Sequence, residues 1–143
     1  MIITDQDILR QVSREISKAE VKSLNLEQRI RQALPTAWTP GVGLAAIQIN
    51  EPVQYAWYSF VQHGKTVTGI LLNPMLMKGY GEEVAEEGCL SIPNYRRKIK
   101  RFKAIDYISN GKKKTAYGFE ARIIQHEWQH FGGILICDKT EGK

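Results

Sequence analysis

Residues His126, Glu127, Trp128, Gln129 and His130 are consecutive. On an α-helix the two histidines, four positions apart, stand one above the other on one face, where both imidazoles can reach a single metal ion. Glu127 follows the first histidine around the helix and can reach a water on that metal, the place for a proton-transferring carboxylate. The pattern therefore proposes a metal-activated hydrolase. The plainer reading is two ordinary helix histidines, one solvated and one satisfied in the core. With only three histidines in 143 residues, two at this spacing around a Glu favour the metal.

A catalytic site of this kind takes three protein ligands and leaves one position for water. A third histidine six residues beyond the second, as in one class of metalloproteases, is not available, because that position is Ile136. A downstream glutamate on a further helix is not expected either: the sole Glu after His130 is Glu141, close to the end of the sequence. Upstream, His63 and Cys89 are the candidates. His63 falls in a turn-like stretch with Gly64 and Lys65, where a surface role is expected. Cys89 follows Gly88, which permits close backbone approach, and a thiol beside a divalent cation is deprotonated outright. Cys89 is thus the favoured third ligand over an inert buried cysteine. Cys137, in the apolar run 133–137, reads as a small buried hydrophobe, and two cysteines are too few for a disulfide scaffold.

Several elements must position these groups. Thr4 with Asp7 resembles a helix start, and Ile8, Val12 and Ile16 recur at helical spacing, which predicts a first helix from about residue 5 to about residue 17. A second helix is predicted after Asn25, with Gln28 completing its cap, Ile30 and Leu34 facing inward, and Pro35 ending it. Residues 41–48 show little patterning, although two close glycines point to unusual backbone conformations. The runs 53–60 and 66–72 predict a hairpin through residues 63–65, and 104–109 with 115–119 a second one through Asn110 and Gly111. Between them lies an acidic, glycine-containing stretch, 79–87. The last helix carries Ala121, Ile124 and Trp128 beside the two histidines, and Gly132 with Gly133 should stop it. The pattern predicts a single α+β domain over residues 1–143, with antiparallel β-sheet packed around the histidine-bearing helix and residues 139–143 a disordered tail.

Composition narrows the class. Hydrophobic residues make up 43% and charged residues 24%, no apolar run is long enough to cross a bilayer, and the first residues lack the pattern of a secretory leader. A cytoplasmic protein is expected, with no membrane partner. The formal charge of +5 gathers at 96–103 and 112–114, which reads as a solvated face and a hairpin tip. No motif for sequence-specific nucleic-acid binding is present.

Three segments, Gly41–Gln48 (GVGLAAIQ), Glu87–Ser91 (EGCLS) and Gln125–His130 (QHEWQH), resemble in order and approximate spacing the signature motifs of peptide deformylases. The resemblance spans about residues 5–138. It implies a metal-dependent hydrolase that removes the N-formyl group from the N-terminal formyl-methionine of newly made polypeptides and releases formate. It implies that Cys89, His126 and His130 hold the metal, Fe2+ in the cell with Zn2+, Ni2+ or Co2+ able to occupy the same site. Glu127 would take a proton from the metal-bound water and deliver one to the leaving amine, while the Leu90 backbone N–H and the Gln48 side-chain amide would stabilise the oxyanion. Substrate would pair as an added strand with Val42 and Gly43. Its methionine side chain would enter an apolar pocket near Phe119 and Ile123, and Arg96 would stand near the mouth. The partners implied are formylated nascent peptides and, through the basic segment 96–103, the ribosome.

The chain departs from the family pattern at Gln129, usually Asp, which removes a charge and affects a partner such as Arg101. It departs again at Arg122, expected in the turn before the histidine helix and usually apolar, whose stem is expected to line the substrate pocket while its head reaches water. A third departure is the short tail after Asp138, where relatives often continue with a further helix or strand. Two rival readings remain: a different metal-dependent amidase or peptidase, and a non-catalytic or ribosome-associated binding protein of the same fold.

Overall fold

The computed structural model describes residues 2–34 and 42–138. In chain order the elements are α1 (Gln6–Leu9), α2 (Lys18–Ser23), α3 (Leu26–Ala33), β1 (Val42–Ala45), a 3-10 turn (Ala46–Ile49), β2 (Tyr55–Gln62), β3 (Lys65–Leu72), β4 (Met75–Tyr80), β5 (Glu83–Cys89), β6 (Ile92–Arg101), β7 (Ala104–Ser109), β8 (Lys112–Tyr117) and α4 (Gly118–Phe131). All strand pairs are antiparallel and form three sheets, β1-β2-β3, β4-β7-β8 and β5-β6, around α4. Among the described residues no helix is long and apolar enough to cross a membrane.

Strand β2 is the pivot of the core because it is buried on both faces. Alternation sends Ala56, Tyr58 and Phe60 into one cluster with Ala121, Ile124 and Phe131 of α4. Tyr55 and Trp57 go the other way, into a second cluster with Leu26 and Ile30 of α3 and with Leu44. The start of α4 has no side-chain cap, so contacts with β2 fix it instead. Tyr58 donates to Glu120 at 2.5 Å, and the rings of Phe60 and Phe119 meet edge to face at 5.6 Å. Farther along, Gln125 clasps the strand end of β6, accepting from Phe102 N at 3.0 Å and donating to Phe102 O at 2.9 Å.

Both sequence-predicted hairpins form. Their turns carry His63 with Gly64, and Asn110 with Gly111, each pair at positive φ as two-residue hairpin turns require. The later strand of the Asn110 hairpin runs Lys112–Tyr117 instead of 115–119, so the lysine run lies in β8 and not at a tip, and Phe119 belongs to α4. The basic segment is likewise part of a strand. Register pairing sets it against acidic β5, with Arg96 on Glu86 at 3.0 Å and Lys100 near Glu82 at 3.9 Å.

The first helix is corrected most. Its helical spacing yields only the four residues of α1, capped by Asp5 and not Thr4, and Val12 is 75% exposed. Backbone pairing captures the chain beyond it. Arg14 N donates to Pro52 O and Gln54 N to Arg14 O, while Asn73 bonds both N–H and C=O of Ile16. Those bonds hold residues 13–16 extended, which a continued helix would forbid. The second helix starts where expected, but the Asn25 side chain bonds Gln28 Oε1 and caps no backbone N–H. Its expected end at Pro35 and the tail 139–143 lie outside the described residues. Trp128 stands 40% exposed, away from the core face.

Gly132 ends α4, and Gly133 follows at φ +75°, its backbone lying against that of Arg10. No side chain fits there. Replacing Gly133 with Ala is expected to destabilise the fold by more than about 1 kcal/mol, measured as the shift of the urea midpoint; an unchanged midpoint would show that this contact bears no stability.

Candidate active site

The hairpin of β5 and β6 and the helix α4 converge on one point. Register shifts between Gly88 and Cys89, where Cys89 pairs with Ile92, and such an irregularity re-aims a side chain at a strand end. The Cys89 sulfur thereby meets His126 and His130, the ligand atoms of all three lying within 4.8 Å of one another. Sulfur and His130 Nε2 are 3.5 Å apart, and the two imidazole rings meet at 5.0 Å between centroids. One thiol and two imidazoles so grouped are the donor set of a catalytic divalent cation.

His126 is held from behind. His126 Nδ1 donates to Glu87 Oε1 at 3.1 Å, which turns Nε2 away from Glu87. Glu87 in turn accepts from Arg101 Nε at 2.9 Å and Nη2 at 2.8 Å, and from Arg122 Nη1 at 2.5 Å. Arg101 also donates to Gln129 Oε1 at 2.6 Å, so the neutral amide keeps the arginine as partner. Burial pushes the Glu87 carboxyl up, but hydrogen bonds from Arg101 and His126 outweigh it and hold the group well below the usual carboxylate range. Burial likewise opposes ionisation of Cys89, yet hydrogen bonding with His126 and His130 draws its thiol well below its usual range.

Glu127 is 2% exposed, and burial raises its carboxyl above the usual range. Its Oε1 has no hydrogen-bond partner among the described residues, nor has His130 Nδ1. Leaving a buried carboxylate oxygen unpaired is costly, so the arrangement points to an occupant that the protein atoms do not supply. The other oxygen lies against Gly43 of β1, where a Cβ would come within 2.6 Å of Oε2. Only glycine lets the strand approach the carboxylate so closely.

Gln48 is buried in the 3-10 turn, and Ile3 N bonds its backbone oxygen. Its side-chain oxygen accepts from Ala45 N at 2.9 Å, which directs Nε2 toward Ser91 Oγ at 3.0 Å and Cys89 Sγ at 3.7 Å. The amide thus presents a donor beside the sulfur. Leu90 follows Cys89 in the hairpin turn. Val42 and Gly43 lie on β1, whose other edge is unpaired among the described strands. Ile123 is buried in the core cluster and Phe119 is 49% exposed at the helix start. Arg96 is exposed beside Gly88 and engaged by Glu86.

Arg122 differs from expectation. It lies within α4, 7% exposed, and its head turns into the fold: it donates to Glu87, to Ile99 O at 3.2 Å and to Glu83 O at 2.9 Å. Three acceptors inside the fold outbid solvent. Sequence reasoning also missed Glu87, whose signal is its place two residues before Cys89, on the same face of a regular strand. His63 stays at its exposed turn, Cys137 packs partly buried on the core, and both cysteines are free.

The sequence model of the family described as polypeptide deformylase matches residues 1–143. A peptide deformylase of Rhodopseudomonas palustris (strain TIE-1) is 35% identical, the alignment covering 96% of this chain and 83% of that one. One from Dictyoglomus thermophilum is 33% identical, with 93% and 86% covered. Two solved structures share the fold. A probable peptide deformylase from Synechococcus phage S-SSM7 superposes with a TM-score of 0.81 at 29% identity over 94% of this chain and 95% of its own. The peptide deformylase of Thermotoga maritima gives 0.77 at 30% identity over 95% and 93%.

Cys89→Ala and His126→Ala are each expected to abolish uptake of one equivalent of Co2+ in equilibrium dialysis, with the far-UV spectrum unchanged. A full equivalent retained by Cys89→Ala would remove the sulfur from the ligand set.

Proposed function

The chain belongs to the polypeptide deformylase family, and from that premise we propose how its residues carry out the family's reaction, hydrolysis of the N-formyl group from an N-terminal formyl-methionine with release of formate. The assignment of roles rests on one observation: a buried, unpartnered Glu127 oxygen beside the Cys89, His126 and His130 group. Those three residues would hold the metal, which we assign as Fe2+ in the cell. A thiolate with two imidazoles suits iron, zinc, nickel or cobalt and disfavours magnesium and calcium. When bound, such a cation polarises the formyl carbonyl and lowers the pKa of a coordinated water.

The rest falls to the protein. Glu127 Oε1 receives the proton of the attacking water and passes one to the departing amine; its burial makes the carboxyl a better proton acceptor, as a group working near neutral pH requires. Gln48 Nε2 and the Leu90 N–H donate to the formyl oxygen as charge builds there. Ala45 N holds the Gln48 amide before substrate arrives, so no reorientation is needed. The edge of β1 at Val42 and Gly43 pairs with the peptide backbone, while Phe119 and Ile123 receive the methionine side chain and Arg96 stands at the mouth. With formylated nascent chains as substrate, we assign the work to the cytoplasm. Ribosome docking through 96–103 has weaker support, since Arg96, Arg97, Lys100 and Arg101 have partners within the chain.

Protein loaded with Fe2+ or Ni2+ without oxygen is expected to release formate from formyl-Met peptides and to leave unformylated peptides intact; exclusion of oxygen protects the thiolate. Glu127→Ala should lower the rate by about 10²–10⁴-fold with the metal retained. A loaded protein that releases no formate, or a variant as fast as the parent, would defeat this assignment. Gly43→Ala should lower kcat by roughly 10²-fold, because its methyl displaces Glu127; unaltered turnover would show that the close approach is dispensable.

A further inference from the structure

We propose that Arg122 is a positioning residue of the metal centre, fixing the Glu87 carboxylate that orients His126. Arg122 and His126 are one turn apart on the same face of α4, and Glu87 bridges them, with Oε2 on Arg122 Nη1 at 2.5 Å and Oε1 on His126 Nδ1 at 3.1 Å. Arg101 of β6 closes the carboxylate from the third side through Nε and Nη2. All four acceptor directions of the carboxylate are therefore used. Arg101 grips the carboxylate as a fork from β6 and reaches α4 at one remove, through Gln129 Oε1 at 2.6 Å, whereas Arg122 is itself a residue of α4. Arg122 ties it to the helix that carries the histidine.

Arg122 is itself well anchored. Its remaining bonds go to the carbonyls of Ile99 on β6 and Glu83 on β5, so the guanidinium joins three elements at one buried point. A planar fork is the side chain that can meet a carboxylate and two carbonyls together. Partners that orient a metal-binding histidine through its far nitrogen typically govern metal affinity by 10–100-fold. Arg122 acts one bond farther out, through Glu87.

The inference rests on the metal-centre reading and is tested without substrate. Parent, Arg122→Met, Glu87→Gln and the double variant are titrated with Co2+ against a chromophoric chelator, and the thiolate charge-transfer and d–d bands are recorded. Arg122→Met should weaken Co2+ binding by about 10-fold and alter the d–d bands. Glu87→Gln should weaken it at least as much, and adding Arg122→Met to Glu87→Gln should cost little further, because the anion through which Arg122 acts has already gone. Parent-like affinity and spectrum in Arg122→Met, or losses that multiply in the double variant, would overturn the proposal. If Arg122→Met fails to fold, Arg122→Lys carries the test: it keeps the charge and loses the fork, so a smaller loss with altered bands supports the proposal and parent-like behaviour overturns it. Parent protein that takes up no Co2+ would overturn the metal-centre reading, and this inference with it.

Discussion

The carboxylate of Glu87 is buried, ionised and shared among three elements, and the geometry of the site depends on that sharing. It accepts from Arg101 on β6 and from Arg122 and His126 on α4, while its own strand ends two residues later in Cys89. The group that orients one imidazole thus sits on the strand that delivers the sulfur. A shift of β5 against α4 would disturb ligand and orienter together. Removing Glu87 would leave the buried guanidiniums of Arg101 and Arg122 without their shared anion, a far larger penalty than loss of a surface pair such as Arg96 with Glu86.

Around that hub, close approach matters as much as charge. Strand β2, buried on both faces, sets the depth at which β1 and α4 meet, and Tyr58 and Phe60 hold the uncapped helix start. Gly43 then lets β1 lie against Glu127, so the strand proposed to pair with a peptide and the carboxylate proposed to transfer protons are neighbours. The unpaired Glu127 oxygen and the unpaired His130 nitrogen run against the rule that buried polar atoms find partners. Such exceptions belong at a site that completes its hydrogen bonds with substrate, water or cation.

Elements with strong local signals were legible from the residues. The histidine helix, the hairpin turning at Asn110 and Gly111, and the turn at His63 and Gly64 each carry a period or a turn residue that tertiary contacts reinforce. Ile8, Val12 and Ile16 misled because their helical spacing competed with backbone pairing to Pro52 and Gln54 and with the side-chain amide of Asn73, residues distant in sequence. Strands β5 and β6 were hidden for another reason: alternating charge reads as a solvated surface until the opposite charges of the partner strand lie beside it.

Residue types and spacing by themselves determined the chemistry: two imidazoles one turn apart with a carboxylate between, a lone thiol after a glycine, and a class of reaction that follows from those donors. Local periodicity also settled the α+β character of the chain. Which sulfur direction, which oxygen orients His126, and where Arg122 ends were decided in three dimensions. The bulge at Cys89, the closeness of β1 to α4 and the three-way grip on Glu87 join groups from separate elements, and long-range packing leaves no mark in a local pattern. From its sequence Arg122 reads as a pocket-lining stem with a solvated head; only the fold supplies the carboxylate and two carbonyls that make burial of that head its lower-energy state.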